Sequence, residues 1–218
     1  MTLSETIIVL HGLFRTSASM WPLAHGLRRA GFRVENWTYN SLTGSLPERT
    51  QSIISRIRAL GPDVRLSGVG HSLGGLLLRG AFVELEKEYP LGRLVQLGTP
   101  NFGASIVQHH NWLFGRGFMP QTIRDMAPES AALSVLRIPA MEIGVIAGVQ
   151  QFHPLNPASW LNSAALKGIP HDGTVELANV RLPQMHDFLE VPINHSFLPM
   201  RRRVITATVN FLQKGQFQ

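Results

Sequence analysis

The sequence contains no cysteine, which removes disulfide bridges, thiolate nucleophiles and cysteine-based zinc sites together and leaves the chain to rely on its core. Aspartate is nearly as scarce, occurring only at positions 63, 125, 172 and 187, so any chemistry that needs one has few choices. There is no apolar run long enough to span a bilayer, because the longest weakly polar stretch, residues 131–149, is broken by Arg137, Pro139 and Glu142. Residues 1–10 carry no basic leader, and the apolar run at 6–10 is too short for a secretory core, so a cytoplasmic location is expected. The formal charge of +6 rests on scattered arginines with no nucleic-acid motif beside them. That pattern predicts a solvated basic face and no nucleic-acid partner, with weak contact to an anionic membrane surface left open. With 218 residues, 44% of them hydrophobic, and no linker, repeat or low-complexity segment, the chain is expected to form a single domain over 1–218.

What the chain does have is Gly70-His71-Ser72-Leu73-Gly74, a serine between two glycines in the pattern of a nucleophile elbow. The flanks suit that reading. Residues 64–69 follow the breaker Gly61-Pro62 and alternate like a strand, while Leu76, Leu77, Leu78, Ala81, Phe82 and Leu85 recur at helical spacing until Pro90. Strand, tight turn and helix thus arrive in order, and the glycines at 70, 74 and 75 answer the need for close packing around a strained turn.

Strand and helix signals alternate along the rest. Strands are predicted at 6–10, 32–39, 64–69, 93–98, 141–147 and 186–191. Helices are predicted at 19–30, after the capping-box spacing of Ser45 and Glu48, over 73–89, and at 197–212. The aliphatic run at 6–10 suits a strand covered on both faces. This alternation predicts a doubly wound α/β sheet, whose ligands lie beyond the carboxyl ends of the strands.

A serine nucleophile needs a base, and the base needs a carboxylate, in the chain order serine, acid, histidine when the serine sits on such an elbow. Asp63 and Asp187 open strands and Asp125 lies in an irregular stretch, which leaves Asp172, in the turn Pro170-His171-Asp172-Gly173, with Glu176 as the fallback. His186 also opens a strand, whereas His195 follows one directly and is the expected base. The oxyanion of an acyl-transfer intermediate needs two backbone donors. Leu73, just after the serine, and Leu13, in the loop His11-Gly12-Leu13-Phe14 after the first strand, are the expected pair, with Phe14 as the alternative to Leu13. His11 reads as a residue that shapes that loop.

Together, His11-Gly12, Gly70-His71-Ser72-Leu73-Gly74-Gly75, Asp172-Gly173 and Asn194-His195 resemble the α/β-hydrolases, in their lipase and esterase branch. The stretch Gly98-Thr99-Pro100-Asn101-Phe102-Gly103 is similar to one that such lipases carry after the strand following the elbow helix. The resemblance implies an α/β-hydrolase fold, with a reduced, mostly parallel sheet of about six strands covered by helices on both faces. It also implies cleavage of a carboxylic ester through an acyl-serine intermediate, with Ser72, Asp172 and His195 as the triad and neither cofactor nor metal. The same serine chemistry serves acyltransferases, thioesterases and amidases, and a hydrolase fold also serves binding proteins, though the latter have no need of the three groups.

Residues 101–138 read as an insertion rich in apolar side chains, among them Trp112, Leu113, Phe114, Phe118, Met119 and Met126. Over the active-site end it would act as a lid, cap or acyl-chain wall; the alternative is a helix pair packed onto the domain. Phe14 and Trp112 are the candidate substrate contacts, for a small-molecule or lipid ester. His109 and His110 lack an accompanying carboxylate pair and read as loop histidines, not metal ligands.

Overall fold

The computed structural model describes residues 4–107, 109 and 119–218. Its centre is a six-stranded sheet in the order β2-β1-β3-β4-β5-β6. The strands are β1 (Ser4–Leu10), β2 (Arg33–Trp37), β3 (Val64–His71), β4 (Leu91–Leu97), β5 (Glu142–Gly148) and β6 (Asp187–Val191). Every neighbouring pair runs parallel, so all six carboxyl ends open on the same edge of the sheet. The helices are α1 (Trp21–Arg29), α2 (Leu46–Arg58), α3 (Leu73–Leu85), α4 (Gln121–Asp125), α5 (Ala131–Ser134), α6 (Pro157–Leu161), α7 (Leu177–Val180) and α8 (Arg202–Lys214).

A parallel strand joined by crossover helices is covered on both faces, and the sequence of β1 meets that demand. Ile7, Ile8, Val9 and Leu10 are all fully buried. Ile8 and Leu10 pack with Ile53 and Ile57 of α2 and Leu77 and Phe82 of α3. Ile7 and Val9 turn the other way, toward Leu23 and Leu27 of α1 and Val204 and Phe211 of α8. Two apolar layers thus sandwich the sheet, which is why its central strands read as near-continuous aliphatic runs. The α2 start is as its sequence spacing predicts: Glu48 N–H donates to Ser45 Oγ at 3.3 Å and Ser45 N–H to Glu48 Oε2 at 2.7 Å.

Helix ends differ from expectation where proline intervenes. The predicted helix 19–30 is a 3₁₀ turn, Ser17–Met20, followed by α1, which takes Pro22 into its first turn. The predicted helix 73–89 ends at Leu85, and residues 86–89 loosen ahead of Pro90, which disfavours helical backbone before it. At the carboxyl end the predicted 197–212 helix is again two pieces, a 3₁₀ turn His195–Met200 holding Pro199 and then α8, which begins at Arg202. Asp125, expected in an irregular stretch, closes the short helix α4.

Phe82 is among the largest fully buried side chains. Phe82→Ala is expected to cost about 3–5 kcal/mol. Urea denaturation will read this as a lower midpoint with an unchanged slope, and a loss under about 1 kcal/mol contradicts the packing described.

Candidate active site

β3 ends at His71 and α3 begins at Leu73, so the chain reverses from strand to helix at Ser72 alone. Ser72 has φ 53° and ψ −122°, a conformation that side chains avoid at a cost of about 1–3 kcal/mol. Its N–H donates to the Leu97 carbonyl at 2.9 Å, and its carbonyl accepts from Gly75 N–H at 3.0 Å, so both sides of the turn are tied. The loop after β1 lies against the start of α3. A Cβ at Gly74 would stand 2.5 Å from Leu10 O and 2.7 Å from His11 O, so glycine there is what lets the loop approach.

Asp172 and His195 meet beyond the ends of β5 and β6. Asp172 Oδ1 accepts from Thr174 N–H (3.0 Å) and Val175 N–H (2.8 Å), closing its own turn, while Oδ2 lies 2.6 Å from His195 Nδ1. The His195 N–H also donates to the Asp172 carbonyl at 2.8 Å. With the carboxylate on Nδ1, that nitrogen carries the proton and the neutral ring keeps its lone pair on Nε2. Gly98, at φ 56°, makes room for the pair, since a Cβ there would stand 3.0 Å from His195 Nδ1 and 3.1 Å from Asp172 Oδ2. Asn194 fastens the histidine loop to the segment after β5, donating to Gln150 O at 3.1 Å and accepting from Asn156 Nδ2 at 2.7 Å. Glu176, the fallback acid, is turned elsewhere and accepts from Ser105 N–H at 3.0 Å. His186 is exposed at the opposite end of the sheet, its Nδ1 accepting from Ile143 N–H at 3.2 Å.

Ser72 and His195 line one cavity of about 580 Å³, together with Leu13, Phe14 and Arg15 of the loop after β1. Leu73 opens α3, where an N–H has no intrahelical acceptor. Leu13 N–H is on the loop facing it. The Phe14 N–H is engaged, donating to Ser41 Oγ at 3.2 Å. His11 holds the loop in shape: Nδ1 donates to Gly12 O at 2.8 Å, Nε2 accepts from Tyr39 N–H at 3.2 Å, and the ring stacks on Tyr39 at 4.3 Å. Burial lowers its pKa, consistent with a neutral ring whose two nitrogens have opposite roles. Trp112 lies outside the described residues.

Sequence reasoning treated His71 only as part of the elbow pattern. The structure gives it a contact of its own: buried, with Nε2 3.0 Å from the His195 carbonyl and its ring tilted against that of His195 at 4.8 Å. A carbonyl only accepts, so Nε2 is the protonated nitrogen. Burial, and then the neighbouring His195, hold its pKa well below the usual histidine value. The one available signal was its position, preceding the serine on a strand that ends at the site.

The far wall of the cavity is apolar and comes from the insertion, through Ala104, Ile106, Val107, Met119, Ile123 and Met126. The described part of that segment is clipped to the sheet-covering helices. Asp125 Oδ2 accepts from Leu46 N–H at the start of α2 (2.7 Å), and Thr122 Oγ1 donates to Gly44 O (2.6 Å). Arg79 of α3 donates to the carbonyls of Arg137, at 3.0 Å, and Leu136 and to Asn101 Oδ1 at 3.1 Å. Its burial lowers the guanidinium pKa to about 10. Among the described residues no group of three histidine, aspartate or glutamate side chains converges as a metal site would require.

Neither a protein-family model nor a curated protein sequence matches the chain. Solved structures do. The mature form of the Bacillus licheniformis lipase BlEst2 superposes with a TM-score of 0.75 at 16% identity, covering 97% of this chain and 90% of that one. The chain spans about half, 51%, of the same lipase in its propeptide form, at a TM-score of 0.77 and 15% identity over 96% of this chain. The phospholipase PlaB from Legionella pneumophila gives 0.74 at 13% identity, covering 98% of this chain and 61% of that one. The fold is that of the α/β-hydrolases. Ser72, Asp172 and His195 all lie at the carboxyl-end edge of the sheet.

His11, His71 and His171 all have pKa values lowered mainly by burial. Each is neutral in the fold and protonates more readily once unfolded. Stability is therefore full above about pH 6.5, where neither state binds these protons, and falls as pH drops below it, because the unfolded chain then binds more. The urea midpoint is expected to be lower at about pH 5 than at about pH 7.5, and the difference to shrink in His71→Asn; a midpoint that rises on acidification contradicts this.

Proposed function

We propose that the protein is a serine hydrolase that cleaves carboxylic esters through an acyl-serine intermediate. The observation that carries this reading is the shared edge: a serine in a strained strand-to-helix turn and a histidine bonded to a carboxylate at 2.6 Å, opening on the same cavity. A binding protein gains nothing from holding Ser72 at a costly backbone angle. The solved structures that share the fold include a lipase, a phospholipase and a metagenomic carboxyl esterase, which agrees with ester chemistry.

In this mechanism Ser72 Oγ attacks the ester carbonyl carbon as His195 Nε2 takes its proton. Asp172 stabilises the imidazolium and holds the ring in the tautomer that leaves Nε2 free to accept. The carbonyl oxygen becomes an oxyanion and is met by the N–H groups of Leu13 and Leu73. Collapse breaks the bond to the alkoxy oxygen, which leaves as the alcohol with the proton from His195. Water then attacks the acyl-serine by the same route, releasing the acid and restoring Ser72. His71, through the His195 carbonyl, acts as a positioning residue for the base.

The apolar wall supports an acyl chain as the group that fills the cavity, because Ile106, Val107, Met119 and Ile123 offer it no hydrogen bonds. On this reading, residues 101–138 act as the acyl-chain wall.

With p-nitrophenyl esters of increasing chain length, kcat/KM is expected to peak beyond acetate. Ser72→Ala is expected to lower kcat by about 10⁴-fold or more, with Asp172→Asn somewhat milder. A fluorophosphonate probe should label the wild type and not Ser72→Ala. Wild-type rates retained by Ser72→Ala would overturn the proposal.

A further inference from the structure

Large apolar side chains are exposed around the cavity mouth. Phe152, Leu155, Trp160 and Leu161 are 57%, 77%, 51% and 65% exposed within ten residues of chain, in the loop after β5 and the helix α6. They form a built surface. The Phe152 and Trp160 rings stack at 6.4 Å, Trp160 Nε1–H donates to His153 O at 3.1 Å, and Ser159 Oγ–H donates to Asn156 O at 2.7 Å. The same segment reaches the cavity through Asn156 and Pro157. Across the mouth, in the loop after β1, Phe14 is 67% exposed beside Arg15. Four apolar side chains of this size exposed in one ten-residue segment mark an interaction surface.

The charge around them selects a partner. Between Glu142 and Asp172 the chain has no carboxylate, and between Glu5 and Glu35 it has none either, so both loops flanking the mouth are free of negative charge. Their cations include Arg15 and Lys167, on a chain of net charge +6. Exposed aromatic and leucine side chains on a segment with basic residues and no acids suit a boundary that is apolar inside and anionic outside. A second copy of this basic chain brings like charge to the same face.

We propose that the segment 152–161, with Phe14 and Arg15, docks the protein on a lipid surface carrying anionic headgroups. Docking sets the cavity mouth against that surface, so an acyl chain leaving the lipid meets the apolar wall without crossing water. Adsorption itself requires no chemistry at Ser72.

The test uses the full-length protein carrying Ser72→Ala, so that vesicles stay intact, and sedimentation with vesicles of phosphatidylcholine alone or with about 30% phosphatidylglycerol. The protein is expected to pellet with the anionic vesicles at low salt, less so at high salt or with phosphatidylcholine alone. Adding Phe152→Ser, Leu155→Ser and Trp160→Ser should weaken partitioning by about tenfold or more. An unchanged far-UV circular dichroism spectrum and thermal midpoint separate that loss from misfolding, and single Leu155→Ser, at the most exposed site, should lose part of the binding on an intact fold. In the Ser72 background, the triple change should leave hydrolysis of a soluble short-chain ester within about twofold. No pelleting with anionic vesicles, equal pelleting with both compositions, or a concentration-dependent dimer abolished by the same changes would each overturn the docking proposal. Docking without any ester hydrolysis would sink the enzymatic reading and leave this one standing.

Discussion

The backbone at Ser72 is the constraint on which the site depends. A non-glycine residue at φ 53° persists only where its surroundings over-determine it, and here they do so from three sides. β4 takes the Ser72 N–H through the Leu97 carbonyl. The carbonyls of β1 and its loop press on the first turn of α3, and the β-sheet behind is filled on both faces. The cost of the turn is therefore spread through the central strands, and the serine side chain is left pointing beyond the sheet edge without freedom to retreat.

Much of this was legible in the sequence, for physical reasons that apply unequally along the chain. The strands could be read because a two-sided parallel sheet demands unbroken aliphatic runs such as Ile7 to Leu10, and few other structures do. Asp172 and His195 could be paired because aspartates are few and only side chains that follow a strand reach the ligand edge. The double use of Asp172 could not be read: one oxygen closes its own turn while the other meets His195. Helix ends were misjudged where proline sits inside a periodic apolar pattern, as at Pro199, because the periodicity continues across the break while the backbone does not. His71 was missed since a histidine beside a serine looks the same whether it points to solvent or to a distant carbonyl.

The site is also a place where histidines are kept uncharged. His11 and His171 each accept a backbone N–H on a ring nitrogen, which requires a neutral ring, His71 donates to the His195 carbonyl, and burial opposes protonation in all three. Of these four, His195 is the one whose ring is hydrogen-bonded to a carboxylate. On the proposed mechanism, the imidazole that gains and loses a proton lies against His71, whose protonation burial opposes.

The insertion is clipped at Leu46 by Asp125 and at its far end by Arg79, while Ser72, Asp172 and His195 all stand beyond strand ends. On the proposed reading, selection and chemistry belong to different parts of the chain, joined in part through α3, which carries Arg79 and also opens with Leu73, the proposed oxyanion donor. If the proposed function holds, such a division makes the scaffold modular: the segment that reads a substrate can be exchanged or lengthened between its two clips while the strand-end chemistry stays as it is.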